Sequence, residues 1–266
     1  MSDEVERTPP DAAALWQRLR AATPARIGLG RVGNTQPLKD VLRFQLDHAR
    51  ARDAVHAPFD AEALAAELAP LSTLIVESEA IDRATYLRRP DLGRRLSVEG
   101  KERLAAAMRE DPSRLNCDVA IVVGDGLSAT GVQGGGAALV RALVRELGDL
   151  SLAPVVIARQ ARVALGDDIG EAMRARVVVM IIGERPGLTV ADSLGIYMTF
   201  APRRGRADSE RNCISNIHAQ GGLAPEQAAA TLGRLLREAM RRGLSGVDIK
   251  DDAETLLSPP PALDTP

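Results

Sequence analysis

Arg176-Val177-Val178-Val179-Met180-Ile181-Ile182-Gly183-Glu184-Arg185-Pro186-Gly187 is a continuous apolar run of strand length and β-branched composition, stopped by glycine and proline. An apolar run without polar alternation fits a strand covered on both faces, which in soluble proteins means a parallel sheet between helices. The run ends by delivering a carboxylate, Glu184, and a guanidinium, Arg185, to one edge of that sheet. Open α/β sheets hold ligands beyond the carboxyl ends of their strands, so this pair marks either a ligand or subunit contact or a solvated Pro-Gly turn.

The flanking sequence repeats the alternation. A buried strand at 119–123 is followed by a glycine-rich loop at 124–136, a helix at 137–147, a strand at 154–158 and a helix at 168–175 before the strand at 177–182. Strand-helix-strand-helix-strand order predicts a parallel sheet with right-handed crossovers. Residues 196–200 read as an edge or late strand closed by Pro202, and a polar loop at 203–212 leads to Cys213 and His218. Pro225 opens a last helix, 225–242, with Ala228, Leu232, Leu235, Leu236 and Met240 on one face.

The N-terminal third reads as mainly helical. A short amphipathic helix carries Leu15, Trp16 and Leu19, and an irregular loop at 23–33 holds Gly28, Gly30 and Gly33. That spacing matches a dinucleotide fingerprint only as text, because no strand precedes it. An amphipathic helix spans 37–55, Asp60 caps a helix at 61–68, residues 74–76 are a short extended candidate, and 82–87 form a helical turn. Four arginines, Arg88, Arg89, Arg94 and Arg95, surround a Pro-Gly bend that is either an anion or partner contact or a solvated basic loop. Ser97 opens a helix at 97–109. The first ten residues are expected to fray, and the proline-rich stretch from 251 cannot enter a helix or sheet.

Bulk properties narrow the function. The chain of 266 residues is 45% apolar, so it can bury a real core, yet only 2% is aromatic, which disfavours a stacking platform for single-stranded nucleic acid. A formal net charge of −2 gives no electrostatic reason to bind nucleic acid or acidic membranes. No apolar run approaches the roughly 20 residues of a membrane span, no signal peptide is present, and Cys117 and Cys213 suit a reducing compartment as free thiols. The chain is expected in the cytoplasm.

No nucleophile elbow, zincin helix, P-loop lysine or metal cluster appears, which favours a cofactor-binding or partner-completing subunit with no catalytic residue of its own. The loop Gly124-Asp125-Gly126-Leu127-Ser128-Ala129 follows a strand and suits either a phosphate or the close approach of a bulky ligand or another backbone. His48 and His56 read as surface or satisfied core residues. Asn216-Ile217-His218-Ala219-Gln220-Gly221 differs by one residue from the Asp-x-His-x-x-Gly string of some cobalt-ligating proteins. A ligating imidazole normally donates its second N–H to a carboxylate, and Asn216 supplies only an amide, so His218 reads as a hydrogen-bonding residue.

Four strings in order, Arg88 to Arg95, Val122 to Ser128, Ile182 to Leu188 and Asn212 to His218, resemble the small (light) subunit of ethanolamine ammonia-lyase, over about Thr23 to Asp248. The resemblance implies an adenosylcobalamin-dependent lyase that converts ethanolamine to acetaldehyde and ammonia, in a hetero-oligomer whose barrel-shaped large subunit binds the substrate. Cobalamin would lie between the subunits with its own dimethylbenzimidazole on cobalt. Cobalamin contacts carried over from that family fall on Val163, Glu184 and Cys213. The expected organisation is an N-terminal extension (1–22), a helical domain docking on the large subunit (23–96), a Rossmann-like α/β domain covering the cobalamin (97–250) and a proline-rich tail (251–266). Such enzymes work free in the cytoplasm or inside a bacterial microcompartment, and the short N-terminus favours the free form.

Overall fold

The computed structural model describes residues 10–23 and 25–250; the expected fraying start and the proline-rich tail lie outside them. In chain order the elements are α1 (Pro10–Ala21), α2 (Leu38–His56), α3 (Ala61–Glu67), β1 (Thr73–Glu77), α4 (Arg83–Arg88), α5 (Val98–Glu110), β2 (Val119–Gly124), α6 (Ala129–Glu146), β3 (Val155–Arg159), α7 (Leu165–Ala172), β4 (Val177–Gly183), β5 (Leu194–Phe200), β6 (Arg211–Ile217) and α8 (Pro225–Arg242). One six-stranded sheet runs in the order β1-β3-β2-β4-β5-β6.

Every residue of β4 is buried, as its unbroken apolar composition requires. Alternate side chains serve two separate cores. Val177, Val179 and Ile181 join the cluster built with α3, α6 and α8, and Val178, Met180 and Ile182 join the one built with α5 and α7. The protein is therefore a mixed α/β layered structure with helices on both faces of the sheet.

The sheet is only partly parallel. β1, β3, β2 and β4 run parallel, but β4–β5 and β5–β6 are antiparallel. β5 is interior rather than an edge, because β6 adds outside it. The sequence reading left β6 as an unassigned polar stretch, and the ladder explains why. A register shift, three residues of β6 against two of β5, sets Ile214 and Ile217 opposite Ile196 and Leu194 in the same core, while Arg211 is buried on the other face by its pairing with Asp167, so only Arg211, Ile214 and Ile217 of the strand are buried. A burial interval of three hides the two-residue period by which a strand is recognised. At the other edge, the extended candidate at 74–76 is β1, hydrogen-bonded to β3 and thus continuous with the sheet.

Two helix boundaries also differ. α6 begins at Ala129 and carries Gly131, Gly134, Gly135 and Gly136 inside it, where a loop was expected. Ser128 caps it, accepting the Gly131 N–H at 3.1 Å, and the following connection lies against the helix, so that a Cβ on Gly131 would stand 2.9 Å from the Asp192 carbonyl. Close approach overrides the roughly 1 kcal/mol that each glycine costs a helix interior. α7 starts three residues earlier than expected, since Asp167 and Asp168 sit in its first turn and hold arginines instead of capping.

α2 has the predicted amphipathic spacing, but its apolar side faces outward. Ala54 is its single buried residue, while Leu38, Leu42 and Leu46 are 71%, 54% and 51% exposed.

One buried ion pair locks β6 to α7. The Arg211 guanidinium donates to both carboxylate oxygens of Asp167 at 2.7 Å and to the Thr199 hydroxyl at 2.8 Å, with both charged side chains 2% exposed. Removing one partner leaves the other charge desolvated and alone, so Arg211→Ala should lower the unfolding free energy by about 3–5 kcal/mol. Urea denaturation measures this directly; an unaltered midpoint would mean that the pair carries no stability.

Candidate functional site

The chain passes from β2 to β3 on one side and then to β4 on the other side of β2, so the crossovers diverge at the carboxyl ends of β2 and β4. Such a divergence opens a crevice in an α/β sheet. A crevice of about 450 Å³ lies there, with Gly126, Arg162, Val163, Glu184, Arg185 and Tyr197 in its wall.

Glu184 follows the last residue of β4 directly. Its N–H donates to the Ser193 carbonyl at 3.0 Å, and its Oε2 accepts the Ser193 hydroxyl at 2.6 Å and the Asn216 N–H at 3.3 Å. Oε1 has no hydrogen-bond partner among the described residues and lies over Gly195, where a Cβ would stand 2.9 Å from it. Arg185 is exposed at the lip. Val163 is half-buried on the loop after β3, with part of its side chain against the α5/α7 core.

Cys213 lies on β6 opposite Tyr197 of β5. It does not line the crevice itself; Tyr197 does, and its hydroxyl donates to the Cys213 sulfur. Desolvation pushes the Cys213 thiol up, and the hydrogen bond from Tyr197 opposes this only in part. Desolvation, with the neighbouring Cys213 and Glu184, pushes Tyr197 up to about 12. Both groups are neutral near pH 7, so Cys213 offers packing and a weak acceptor rather than a nucleophilic thiolate. Val163 and Glu184 thus meet in one crevice, and Cys213 stands one side chain behind it.

His218 is committed within its own loop. Its Nδ1 accepts the Gln220 N–H at 3.2 Å, which leaves Nε2 to donate to the Asn216 side-chain oxygen at 2.9 Å. Neither nitrogen is free for a ligand in this arrangement.

Gly124 makes room for the Met180 and Ala161 side chains, and Gly126 serves the approach of one backbone to another. Leu127 N–H donates to the Gly183 carbonyl at 2.9 Å, and a Cβ on Gly126 would overlap Gly183. Between them Asp125 turns inward, 1% exposed, to accept the Ala161 N–H at 2.8 Å.

Sequence reasoning missed the cluster behind this loop. Arg83 donates to the Val55 carbonyl at the end of α2 (2.6 Å), to the Gly126 carbonyl (2.8 Å) and to Asp125 (3.4 Å). The Tyr86 ring is fully buried between two guanidiniums, Arg83 at 4.7 Å and Arg162 at 4.3 Å, and its hydroxyl donates to the Ala161 carbonyl at 3.1 Å. Gly93 of the arginine-rich bend closes the cluster, accepting the Arg162 N–H at 2.7 Å. Within that bend Arg89 pairs with Asp91 at 2.7 Å and Arg95 with Glu79 at 3.8 Å. Arg83 Nη2, Arg162 Nε and Gln160 Oε1 are buried without hydrogen-bond partners among the described residues. No local signal links these residues, which meet only through the fold.

Comparison with known proteins adds the following. The family model for the ethanolamine ammonia-lyase light chain (EutC) matches residues 13–250. The ethanolamine ammonia-lyase small subunit of Xanthomonas campestris pv. campestris (strain ATCC 33913) is 51% identical over 252 residues, covering 93% of this chain and 90% of the relative. The protein of that name from Pseudomonas fluorescens (strain Pf0-1) is 45% identical over 277 residues, covering 97% and 100%. The one from Rhodopseudomonas palustris (strain BisA53) is 51% identical, covering 88% and 89%. Among the described residues no helix is long and apolar enough to cross a membrane.

Burial drives the Asp125 carboxyl up from 3.8 to about 6, against the lowering effect of the Ala161 N–H and the Arg83 charge. The folded state then holds a proton that the unfolded chain releases between about pH 4 and pH 6, so stability should fall as pH rises through that window, by on the order of 3 kcal/mol. Asp125→Asn should abolish this component. Chemical denaturation of both proteins at pH 4, 5, 6 and 7 tests it, and parallel pH profiles would refute it.

Proposed function

The chain belongs to the ethanolamine ammonia-lyase light-chain family, and on that premise we propose that it is the small subunit of an adenosylcobalamin-dependent lyase converting ethanolamine to acetaldehyde and ammonia. The observation that carries this reading is the family match across residues 13–250, which spans the crevice and every strand that builds it. In this reading the large subunit, a barrel, binds the substrate, and the present chain covers the cofactor from the other side.

The crevice chemistry fits a corrinoid. Corrin side chains end in primary amides, which need both acceptors and donors at the protein surface. Glu184 offers an uncommitted carboxylate oxygen and Arg185 an exposed guanidinium at the same strand end. The crevice, about 450 Å³, is far too small to enclose a corrinoid, which suits contact with one part of a large group that also rests on a second polypeptide. When bound, adenosylcobalamin supplies radical chemistry through homolysis of its Co–C bond. The residues of this chain bind, orient and exclude water. Glu184 accepts an amide N–H, Val163 gives apolar contact, and Cys213 with Tyr197 forms an uncharged flank. His218, with both ring nitrogens engaged inside its own loop, would take no part in holding the cofactor.

The outward leucines of α2 support docking of the helical N-terminal segment, residues 23–96, on the large subunit. The parallel set β3-β2-β4, with helices on both faces, supports a Rossmann-like relationship for the rest, residues 97–250. We propose a cytoplasmic complex, either free or within a bacterial microcompartment.

Glu184→Ala should weaken adenosylcobalamin binding to the two-subunit complex by about 1.5–3 kcal/mol, the range of a hydrogen bond to a charged group. Titration followed by visible absorbance measures it, and an unchanged affinity would reduce Glu184 to a structural role. The small subunit purified alone should neither deaminate ethanolamine nor hold the cofactor tightly. Turnover by the lone chain would overthrow the division of labour.

A further inference from the structure

The two oxygens of Glu184 stand in different situations. Oε2 accepts both protein hydrogen bonds, from the Ser193 hydroxyl at 2.6 Å and the Asn216 N–H at 3.3 Å. Oε1 rests over the bare backbone of Gly195, beside Tyr197 in the crevice wall. The Ser193 hydroxyl is the shorter contact, and Ser193 is only 8% exposed, so water competes little for it.

Ser193 is itself held from several directions. Its carbonyl accepts the Glu184 N–H, so backbone and side chain of the same two residues pair reciprocally across the end of the β4–β5 hairpin. Two residues earlier, the Ala191 carbonyl accepts the Ser128 hydroxyl at 2.7 Å, which ties the connection to the start of α6. Gly131 completes the seat: a Cβ there would stand 3.1 Å from the Ser193 carbonyl oxygen. The glycine inside α6 thus admits the segment that aims Glu184.

We propose that Ser193 is the positioning residue of the crevice: its hydroxyl fixes Oε2 of Glu184, so that Oε1, above Gly195, is the oxygen that accepts the N–H of a bound primary carboxamide. The proposal rests on reading the crevice as the cofactor face. Two hydrogen bonds to one oxygen fix the plane of the carboxylate and leave the other oxygen facing the crevice, which is what an acceptor for a neutral amide requires. Gly195 sets the clearance, because a methyl group at that position would stand 2.9 Å from Oε1 and 3.4 Å from Cγ of Glu184 and press the carboxylate out of its place.

The test is a double-mutant cycle on the complex with the large subunit, titrated with adenosylcobalamin and followed by visible absorbance. Ser193→Ala should raise Kd roughly two- to tenfold when Glu184 is present, and should add nothing once Glu184→Ala is in place. Equal effects in both backgrounds, or none in either, would overturn the positioning role and leave the cofactor reading standing, provided that Glu184→Ala alone weakens binding. A Glu184→Ala complex with wild-type affinity would instead overturn that reading, and this proposal with it. Should Ser193→Ala fail to assemble, Gly195→Ala probes the same oxygen. It should weaken binding by a similar factor only while Glu184 is present, and wild-type affinity there would refute the assignment of Oε1.

Discussion

Burial of β4 on both faces constrains everything else in this molecule. Seven consecutive residues without a solvent-facing side require helices above and below, and the chain supplies them as two independent cores that share the sheet. Once both faces are covered, small ligands can reach the sheet only at its ends. The carboxyl end is where crossovers part and loops gather, and there the strand releases Glu184.

The site built at that end is polar without being reactive. A thiol and a phenol are both held neutral, a histidine is closed on its own loop, and the one carboxylate at the surface is restrained by a serine. Further charge lies alongside and behind this wall, where Arg162 and Arg83 flank Tyr86 and Arg83 meets Asp125. This distribution suits a surface that grips and orients a large cofactor and leaves bond-breaking to it. Arg83 also reaches the carbonyl at the end of α2, and Arg26 joins Asp47 of α2 (2.6 Å) to the Leu188 carbonyl (3.3 Å). The outward-facing helix and the two loops at the crevice are therefore parts of one hydrogen-bonded frame.

How much of this was legible in the sequence follows from which signals are local. β2, β3 and β4 could be read because full burial imposes an apolar composition that survives without context, and α8 because Pro225 and a sustained helical period mark it. β6 could not, since an irregularity in its ladder spaces Ile214 and Ile217 by three and Arg211 is buried on the opposite face by Asp167. The start of α6 was hidden by its glycines, of which Gly131 and Gly135 have their reason in the opposing segment 192–194. Glu184 was visible as a charge at a strand end, whereas Val163 and Cys213 entered through family resemblance. Arg83, Tyr86 and Arg162 lie far apart in sequence, and nothing in the neighbourhood of any one of them predicts the others.

The glycines of α6 bear on attempts to toughen this protein. Replacing helical glycines with alanine is a standard route to thermostability, and by propensity alone positions 131 and 135 are inviting targets. At both the missing methyl is space used by the neighbouring segment 192–194, so a more robust helix would come at the expense of the groove it helps to shape. Gly134, whose side is open, is the position where such engineering meets no neighbour.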